Sequence, residues 1–512
     1  MEKSRTKNTI KNIKTGIIMQ IINKLMIFVE RTVFINMLNS EYLGVNGLFT
    51  NILTILSFAE LGIGTAIIFN MYKPVAYNDK EKIKSLMKLY KKSYNVIGII
   101  IFALGLLIIP FLKFIIKDAS NVKENMNFIY ILFLINTSVS YFFTYKKSII
   151  SAHQQESIIN KIDSVVYLLK STFQISFLYL TRNFIIYLVI QIIFTLLENI
   201  YISKKADKMF PFLKEKNVKN LEKAEKVNIF KNVKSLIVYK FGSVIMFGTD
   251  NILISSMLNV ASVGLCSNYN MIINAIKSIM NSMLNGITAS IGNLNAIANK
   301  EKKEDIFYQV TFLNFWIYTF CSILFMILLN PFIKLWVGEG FVLQLSIPIA
   351  LSVSFWIEGL RMPAYTYRVT LGLFEKGKAT PYIGAISNII LSIILGKKMG
   401  LVGILIATSI AQLISYSWID PFLIHKNEFK TSFKKYTLKY LKYIVIFIIT
   451  YFICMISTKY IVISNLLEWI LEAILLCFII NVCIIVFSYK SLEFQELKEK
   501  FLGMLKSKIK KD

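Results

Sequence analysis

An apolar stretch of the chain, residues 263–291, is crossed by a regular line of polar side chains. These residues recur every three or four positions, which is the period of an α-helix, so they lie on one face of one helix. The pattern predicts one wall of a water-filled cavity. Interhelical hydrogen bonds between the amide side chains are the alternative explanation. The polar line consists of Asn270, Asn274, Lys277, Asn281, Asn285 and Thr288.

Further charged side chains lie inside other apolar stretches. The cations predict a cavity for an anionic group such as a phosphate or pyrophosphate, because arginine binds such oxygens with a bidentate fork and lysine as a point charge. The carboxylates would balance these charges or bind a coupling proton or sodium ion. For each residue, a structural ion pair between helices is an equally good explanation. The candidate anion ligands are Lys277, Arg31, Lys24 and Arg361, and the candidate coupling or balancing groups are Glu30, Asp250 and Glu358.

The elements that carry these residues are predicted to be transmembrane helices. The chain has 512 residues, of which 55% are hydrophobic and 17% charged, and its mean hydropathy is +0.58. This is far too apolar for a soluble protein of this length. We predict an all-α, polytopic membrane protein with about 14 spans, each long enough to cross a bilayer. The predicted spans are 16–38, 43–70, 93–116, 126–145, 162–180, 184–202, 235–257, 263–291, 307–330, 342–367, 379–395, 400–424, 443–458 and 464–488.

The net charge is +28, and the distribution of the positive residues follows the predicted topology. Most lysines and arginines lie in the connections on the side of the membrane that holds the N-terminus. By the positive-inside rule both termini are therefore predicted to be cytoplasmic, in a multi-pass protein of the plasma membrane. This distribution argues against a nucleic-acid partner, since the positive charge marks one side of a membrane.

The two halves of the chain repeat each other. Met37-Leu38-Asn39 matches Met257-Leu258-Asn259, and Gly44 matches Gly264 at the same offset. Spans 1–6 and 7–12 are therefore predicted to be two copies of one six-helix unit. Because six is even, both copies enter the membrane from the same side, as parallel repeats. The predicted domains are an N-terminal lobe, 1–202, a basic cytoplasmic linker, 203–234, a C-terminal lobe, 235–424, and an extra helix pair with a basic tail, 425–512.

The linker has two possible interpretations. It carries many lysines and an apolar patch at residues 209–212. It could lie on the anionic inner leaflet as an amphipathic helix, or it could be a solvated tether. No phosphate-binding glycine loop or pair of metal-spaced histidines is found in the sequence, so no cofactor or metal is expected and ATP-driven transport by this chain alone is disfavoured.

Two stretches carry a resemblance to a known family. Tyr42-Leu43-Gly44-Val45-Asn46-Gly47-Leu48-Phe49, followed by the stretch from Leu56 to Gly64, resembles the second span of polysaccharide flippases. Pro363 to Lys378 is also similar to that family, which translocates O-antigen and capsule repeat units. These flippases belong to the multidrug/oligosaccharidyl-lipid/polysaccharide exporter superfamily. The predicted span number, the repeat and the trailing helix pair agree with the resemblance along nearly the whole chain.

The resemblance implies two six-helix lobes arranged as a V around a central cavity, with alternating access. It implies a transporter, and not an enzyme, that moves an undecaprenyl-diphosphate-linked oligosaccharide to the outer leaflet for surface polysaccharide synthesis. The lipid tail would stay among membrane lipids, and a polysaccharide polymerase is a possible partner. The cations would hold the diphosphate. The candidate sugar contacts are Asn270, Asn274, Asn281 and Asn285.

Three other functions compete with this interpretation. A lipid II flippase of the same superfamily is the nearest. An ion-coupled drug exporter of the MATE type is disfavoured, because a cavity for cationic drugs should be acidic. A membrane glycosyltransferase or ligase ranks lowest, because the predicted external connections are short and poor in charge.

Overall fold

The computed structural model describes residues 19 and 22–509, except 58–59, 154, 216–217, 298, 372 and 374–375. All regular secondary structure in these residues is helical, and the described residues of every predicted span are mostly helical. By their contacts the helices form two compact units, residues 1–264 and 265–512, here called unit 1 and unit 2. The prediction of an all-helical fold is confirmed.

The helices of unit 1 follow one another with short connections. They are α1 (22–37), α2 (Ser40–Leu56), α3 (Glu60–Ala76), α4 (Lys80–Ile108), α5 (Leu112–Ile115), α6 (Met126–Thr144), α7 (Lys147–Ala152), α8 (Glu156–Thr181), α9 (Phe184–Met209), α10 (Lys223–Gly248) and α11 (Asp250–Met257). Within this unit α8 packs on α9, α4 on α6, and α10 on α3. The first helix after the linker is therefore part of unit 1.

Unit 2 is built around one long helix. Its helices are α12 (Val260–Ile297, which begins in unit 1), α13 (Lys300–Val337), α14 (Ser346–Thr370), α15 (Thr380–Ile414), α16 (Tyr416–Ile424), α17 (Phe433–Thr458), α18 (Leu466–Ser488) and α19 (Leu492–Ile509). The central helix is α13, which contacts α14, α17, α18 and α19. The C-terminal pair is held to it by Phe315 stacked on Tyr443 at 4.2 Å and by a 2.9 Å hydrogen bond from Trp316 to Asn481.

Seven helical segments among the described residues are long and apolar enough to cross a membrane. One of them, Thr380–Phe429, holds two predicted spans. Its chain reverses at Gly400, whose φ of 60° and ψ of −135° are not helical. Glycine adopts this backbone conformation without the steric cost that a Cβ would add. The other predicted spans are also helical, but their helices are shorter, interrupted or more polar. The chain is thus a multi-pass membrane protein.

The internal repeat is visible in local structure. Asn39 caps α2 by accepting hydrogen bonds from the amides of Glu41 and Tyr42, at 3.0 and 3.2 Å. Its repeat partner Asn259 caps α12 in the same way, accepting from the Ser262 amide at 2.8 Å. Asparagine is among the best residues for this position because its side chain satisfies amides that have no partner within the helix. Equivalent sequence positions therefore begin equivalent helices.

The linker packs on unit 1. Phe210 is 9% exposed, and its ring lies 4.4 Å from that of His153. On α4, Lys84 pairs with Glu215 at 2.6 Å, and Ser85 donates a 2.7 Å hydrogen bond to the carbonyl of Lys219. The segment is non-helical between Lys214 and Lys223 in the part that the structure describes. It is therefore neither a continuous amphipathic helix nor a free tether, because its apolar patch and its backbone find partners within the protein.

Candidate functional site

A carboxylate on α1 is the centre of a polar network in unit 1. Glu30 accepts hydrogen bonds from Tyr167 at 3.1 Å, from Ser171 at 2.7 Å and from Tyr187 at 2.5 Å. The first two donors lie on α8 and the third on α9, so three helices meet at this group. These three hydrogen bonds fix the position of the Glu30 carboxylate.

A cavity of about 160 Å³ lies beside this carboxylate. It is lined by Glu30, Arg31, Lys170, Asn46 and several apolar or aromatic side chains. Lys170 lies over the ring of Tyr167 at 4.9 Å, a cation–π contact that holds its ammonium group in place. Two cations and one carboxylate leave the cavity with an excess of positive charge. Its chemistry suits a small anionic group.

The other two candidates of unit 1 lie outside the cavity lining. Lys24 is half-buried on α1, seven positions before Arg31. Asp250 is half-buried at the first position of α11. Only Arg31 and Glu30, of the four candidates in this unit, contribute to the cavity of about 160 Å³.

In unit 2 an ion pair joins α12 to α14. The ammonium of Lys277 lies 2.6 Å from a carboxylate oxygen of Glu358, and the two side chains are 30% and 18% exposed. The pair brings together two residues that the sequence separately marks as candidates. Both groups remain partly accessible, so the pair is not sealed in the protein interior.

Arg361 follows Glu358 by almost one helical turn on α14. Its guanidinium lies 4.2 Å from the ring centre of Tyr416 on α16. Such stacking is favourable for arginine and leaves the N–H groups at the edge of the guanidinium plane able to donate hydrogen bonds. The structure thus places one candidate cation in an ion pair and the next on an aromatic face.

The asparagines of α12 whose side chains are described are at least partly accessible. Asn270 and Asn281 are half-buried, and Asn274 is exposed. The side chain of Asn285 lies outside the described residues. The cavity wall and the alternative of interhelical amide hydrogen bonds both remain predictions.

The structure also reveals polar groups that the sequence did not single out as sites. Arg368 pairs with Asp420 at 3.0 Å, and the two side chains are 0% and 1% exposed. Arg368 follows Arg361 by seven residues on α14, a spacing that signals a shared helix face. In unit 1, Glu60 accepts hydrogen bonds from Tyr94 at 3.1 Å and from Tyr141 at 2.8 Å. The ion pair and the two hydrogen bonds of Glu60 are best explained as helix-to-helix connections.

The predicted site residues therefore form two groups. Glu30 and Arg31 share a cavity in unit 1, whereas Lys277 and Glu358 share an ion pair in unit 2. The four candidate cations are divided between the units, with Lys24 and Arg31 in the first. Their convergence on one ligand remains a prediction.

Comparisons with known proteins bear on the family and the fold. A family model described as "Polysaccharide biosynthesis protein" matches residues 9–288. The fold resembles that of a lipid II flippase, MurJ, in an inward closed conformation, with a TM-score of 0.63 and 16% identity over 93% of this chain and 99% of that chain. No protein of the curated set matches the sequence.

Transporters of the MATE type share the same fold. An inward-facing multidrug resistance MATE family transporter of the MOP superfamily aligns with a TM-score of 0.60 and 15% identity, over 77% of this chain and 93% of that chain. The eukaryotic MATE transporter AtDTX14 aligns with a TM-score of 0.57 and 14% identity, over 83% and 97%. At sequence identities this low, the structural similarity shows a shared fold and not a shared function.

Proposed function

Because the chain belongs to the polysaccharide biosynthesis protein family, we propose that it is a flippase for a lipid-linked oligosaccharide. The substrate is a repeat unit on undecaprenyl diphosphate, carried across the plasma membrane by alternating access for surface polysaccharide synthesis. The observation that carries the proposal is the accessible Lys277–Glu358 pair on the polar face of α12. It offers a phosphate ligand in the middle of a predicted transmembrane helix, where an unpaired charge is costly.

The ion pair suggests how binding is coupled to transport. The substrate's phosphate competes with Glu358 for Lys277, whose ammonium binds either anion as a point charge. The released carboxylate then takes up a proton or sodium ion, which restores the charge balance inside the membrane. Release of the substrate on the other side allows the 2.6 Å pair to form again. The ion gradient would supply the driving force.

The remaining candidate residues are assigned to other groups of the substrate. The cationic cavity with Arg31 is a second candidate site for an anionic group, and Glu30 limits its charge. The accessible amides of Asn270, Asn274 and Asn281 donate to and accept from sugar hydroxyls. The polyprenyl tail stays among membrane lipids, since its burial in a polar cavity would be unfavourable.

The experiment compares two lysines that both form ion pairs. The Lys277→Ala and Lys334→Ala variants of this chain are each expressed in a strain that lacks its own repeat-unit flippase. Lys334 pairs with Glu339 at 3.0 Å, but the two side chains are 54% and 81% exposed. We expect Lys277→Ala to lower surface polysaccharide at least about tenfold, the loss of roughly one charge-assisted hydrogen bond, and Lys334→Ala to leave it unchanged. Immunoblots of the membrane fraction establish equal protein amounts.

Normal polysaccharide from Lys277→Ala would contradict the proposed role of this lysine. Rescue of a strain depleted of its lipid II flippase, without rescue of the polysaccharide strain, would assign lipid II as the substrate instead. Efflux of cationic drugs that depends on Glu358 would favour an exporter.

A further inference from the structure

A small cavity lies where the cytoplasmic ends of the last helices meet in unit 2. Its volume is about 170 Å³, several times the roughly 30 Å³ that one water molecule occupies in the liquid. The cavity is separate from the groups assigned above. It is lined by Phe312, Lys439, Lys442, Tyr443, Ser488, Ser491, Leu492 and Glu493. We call it the α17–α19 cavity.

The charges of the lining favour a monoanion. Lys439 forms an ion pair with Glu493, so these two groups largely neutralise each other. Lys442 is exposed and adds one further positive charge at the cavity. The two lysines and the one carboxylate therefore give an excess of a single positive charge. A singly charged ligand would complete the balance.

A buried hydroxyl group points to a hydrogen-bonding ligand. Ser488 is 1% exposed, and its hydroxyl has no hydrogen-bond partner among the described residues. An unsatisfied buried polar group costs free energy, so a partner is expected in the cavity that this residue lines. The first turn of the 18-residue helix α19 also borders the cavity through Leu492 and Glu493. The positive end of its dipole adds to the attraction for an anion.

The position of the cavity indicates the source of the anion. Lys439 and Lys442 immediately precede the apolar run 443–458, and Ser488 ends the apolar run of α18. Both ends belong to segments predicted to be cytoplasmic, so the cavity lies at the depth of the headgroups of the inner leaflet. That leaflet is anionic and attracts basic residues near its surface.

We propose that the α17–α19 cavity binds the phosphodiester group of an anionic membrane lipid. The ammonium of Lys442 and the hydroxyl of Ser488 contact the phosphate oxygens, and the acyl chains lie along the exposed apolar residues of α17 and α18. Bound lipid would connect both C-terminal helices to Phe312 on α13. This site does not depend on the proposed transport function.

The test uses the full chain, delipidated in an uncharged detergent. Binding of dioleoylphosphatidylglycerol, dioleoylphosphatidylcholine and inorganic phosphate is measured by native mass spectrometry and by the shift in melting temperature. We expect phosphatidylglycerol to bind and the other two probes to bind at least tenfold more weakly. Phosphatidylcholine tests for a purely apolar contact, and inorganic phosphate tests for a soluble anion.

Two variants and one control locate the bound lipid. Lys442→Ala should weaken phosphatidylglycerol binding about fivefold, as expected for one lysine near a membrane surface. Ser488→Ala should weaken it about tenfold, because a hydrogen bond to a charged group is lost. Lys434→Ala removes an exposed lysine of the same helix that does not line the cavity, and it should bind like the original chain.

Two outcomes would overturn the proposal. The first is unchanged phosphatidylglycerol binding in both Lys442→Ala and Ser488→Ala, with helix content and elution volume like those of the original chain. The second is inorganic phosphate binding as tightly as the lipid, which would assign the cavity to a soluble anion.

Discussion

Gly44 and Gly264 occupy equivalent positions of the internal repeat, and each lies against the backbone of the other's helix. A Cβ added to Gly44 would be 1.9 Å from the carbonyl oxygen of Val260, and a Cβ added to Gly264 would be 1.8 Å from that of Ser40. Ser40 and Val260 are themselves equivalent in the repeat. The contact is therefore reciprocal, and it requires glycine on both sides.

Alanine at either glycine should separate the two helices. We expect Gly44→Ala and Gly264→Ala each to lower the free energy of unfolding by about 2–3 kcal/mol, the cost of overpacking a close contact. The double variant should lose much less than twice that amount, because both substitutions disrupt one crossing. Thermal unfolding of the purified protein in detergent measures these effects. Gly340→Ala is the control, since nothing lies within 4 Å of its added Cβ, and a comparable loss there would contradict the explanation.

Neutralising Glu358 should separate substrate binding from transport. In Glu358→Gln the side chain keeps its shape but loses its charge, so Lys277 is free of its 2.6 Å ion partner. We expect a diphosphate lipid to bind about fivefold more tightly, since a partly exposed pair contributes roughly 1 kcal/mol. Transport should slow, because Glu358 no longer competes for Lys277 and so no longer assists release of the substrate. Binding to the purified protein and flipping in proteoliposomes measure the two effects. Glu339→Gln serves as the control, and weaker binding by Glu358→Gln would refute the competition between carboxylate and phosphate.

Removing one hydroxyl from the Glu30 network should destabilise unit 1. Tyr187→Phe deletes the 2.5 Å hydrogen bond to the carboxylate and keeps the ring in the same packing. We expect the free energy of unfolding to fall by about 1.5–3 kcal/mol, the contribution of a hydrogen bond to a charged group. Tyr179→Phe, at an exposed tyrosine of α8, should change it by less than about 0.5 kcal/mol. Equal effects of the two substitutions on the melting curve would show that the network contributes no stability.

The buried Arg368–Asp420 pair should respond very differently to single and double replacement. Arg368→Met leaves the carboxylate of Asp420 in the protein interior without its 3.0 Å partner. The expected loss is about 3–5 kcal/mol, whereas replacing both residues with apolar ones of similar volume is often nearly neutral. Arg368→Met combined with Asp420→Leu should therefore accumulate in the membrane at a higher level than Arg368→Met. Quantitative immunoblots measure this, and a double variant worse than the single one would contradict the argument.

The fold was largely predictable because its signals are local. Apolar runs, helix period and capping residues act over a few neighbouring positions, and the matched caps Asn39 and Asn259 can be found by aligning the chain with itself. The polar face that carries Lys277 was found in the same way. In each case the signal can be read without knowing which helices pack together.

The partners of the polar groups could not be predicted, since they depend on which helices pack together. Glu358 lies three residues before Arg361 on the same helix, a spacing that allows an ion pair. The structure joins Glu358 to Lys277 on another helix. The three hydroxyl donors of Glu30 lie on two further helices. Tyrosine and serine are too common in this chain for any of them to stand out before the helices are assembled.

The packing of the linker limits how the chain can be divided experimentally. Lys84 and Ser85 hold the linker, and α10 beyond it packs on α3. Protease cleavage in the segment between Lys214 and Lys223 would therefore nick the molecule without releasing two halves. A fragment that stops at residue 202 would lack α10 and α11 and expose the surfaces that they cover. Two fragments divided between Lys214 and Lys223 should be stable only when they are coexpressed.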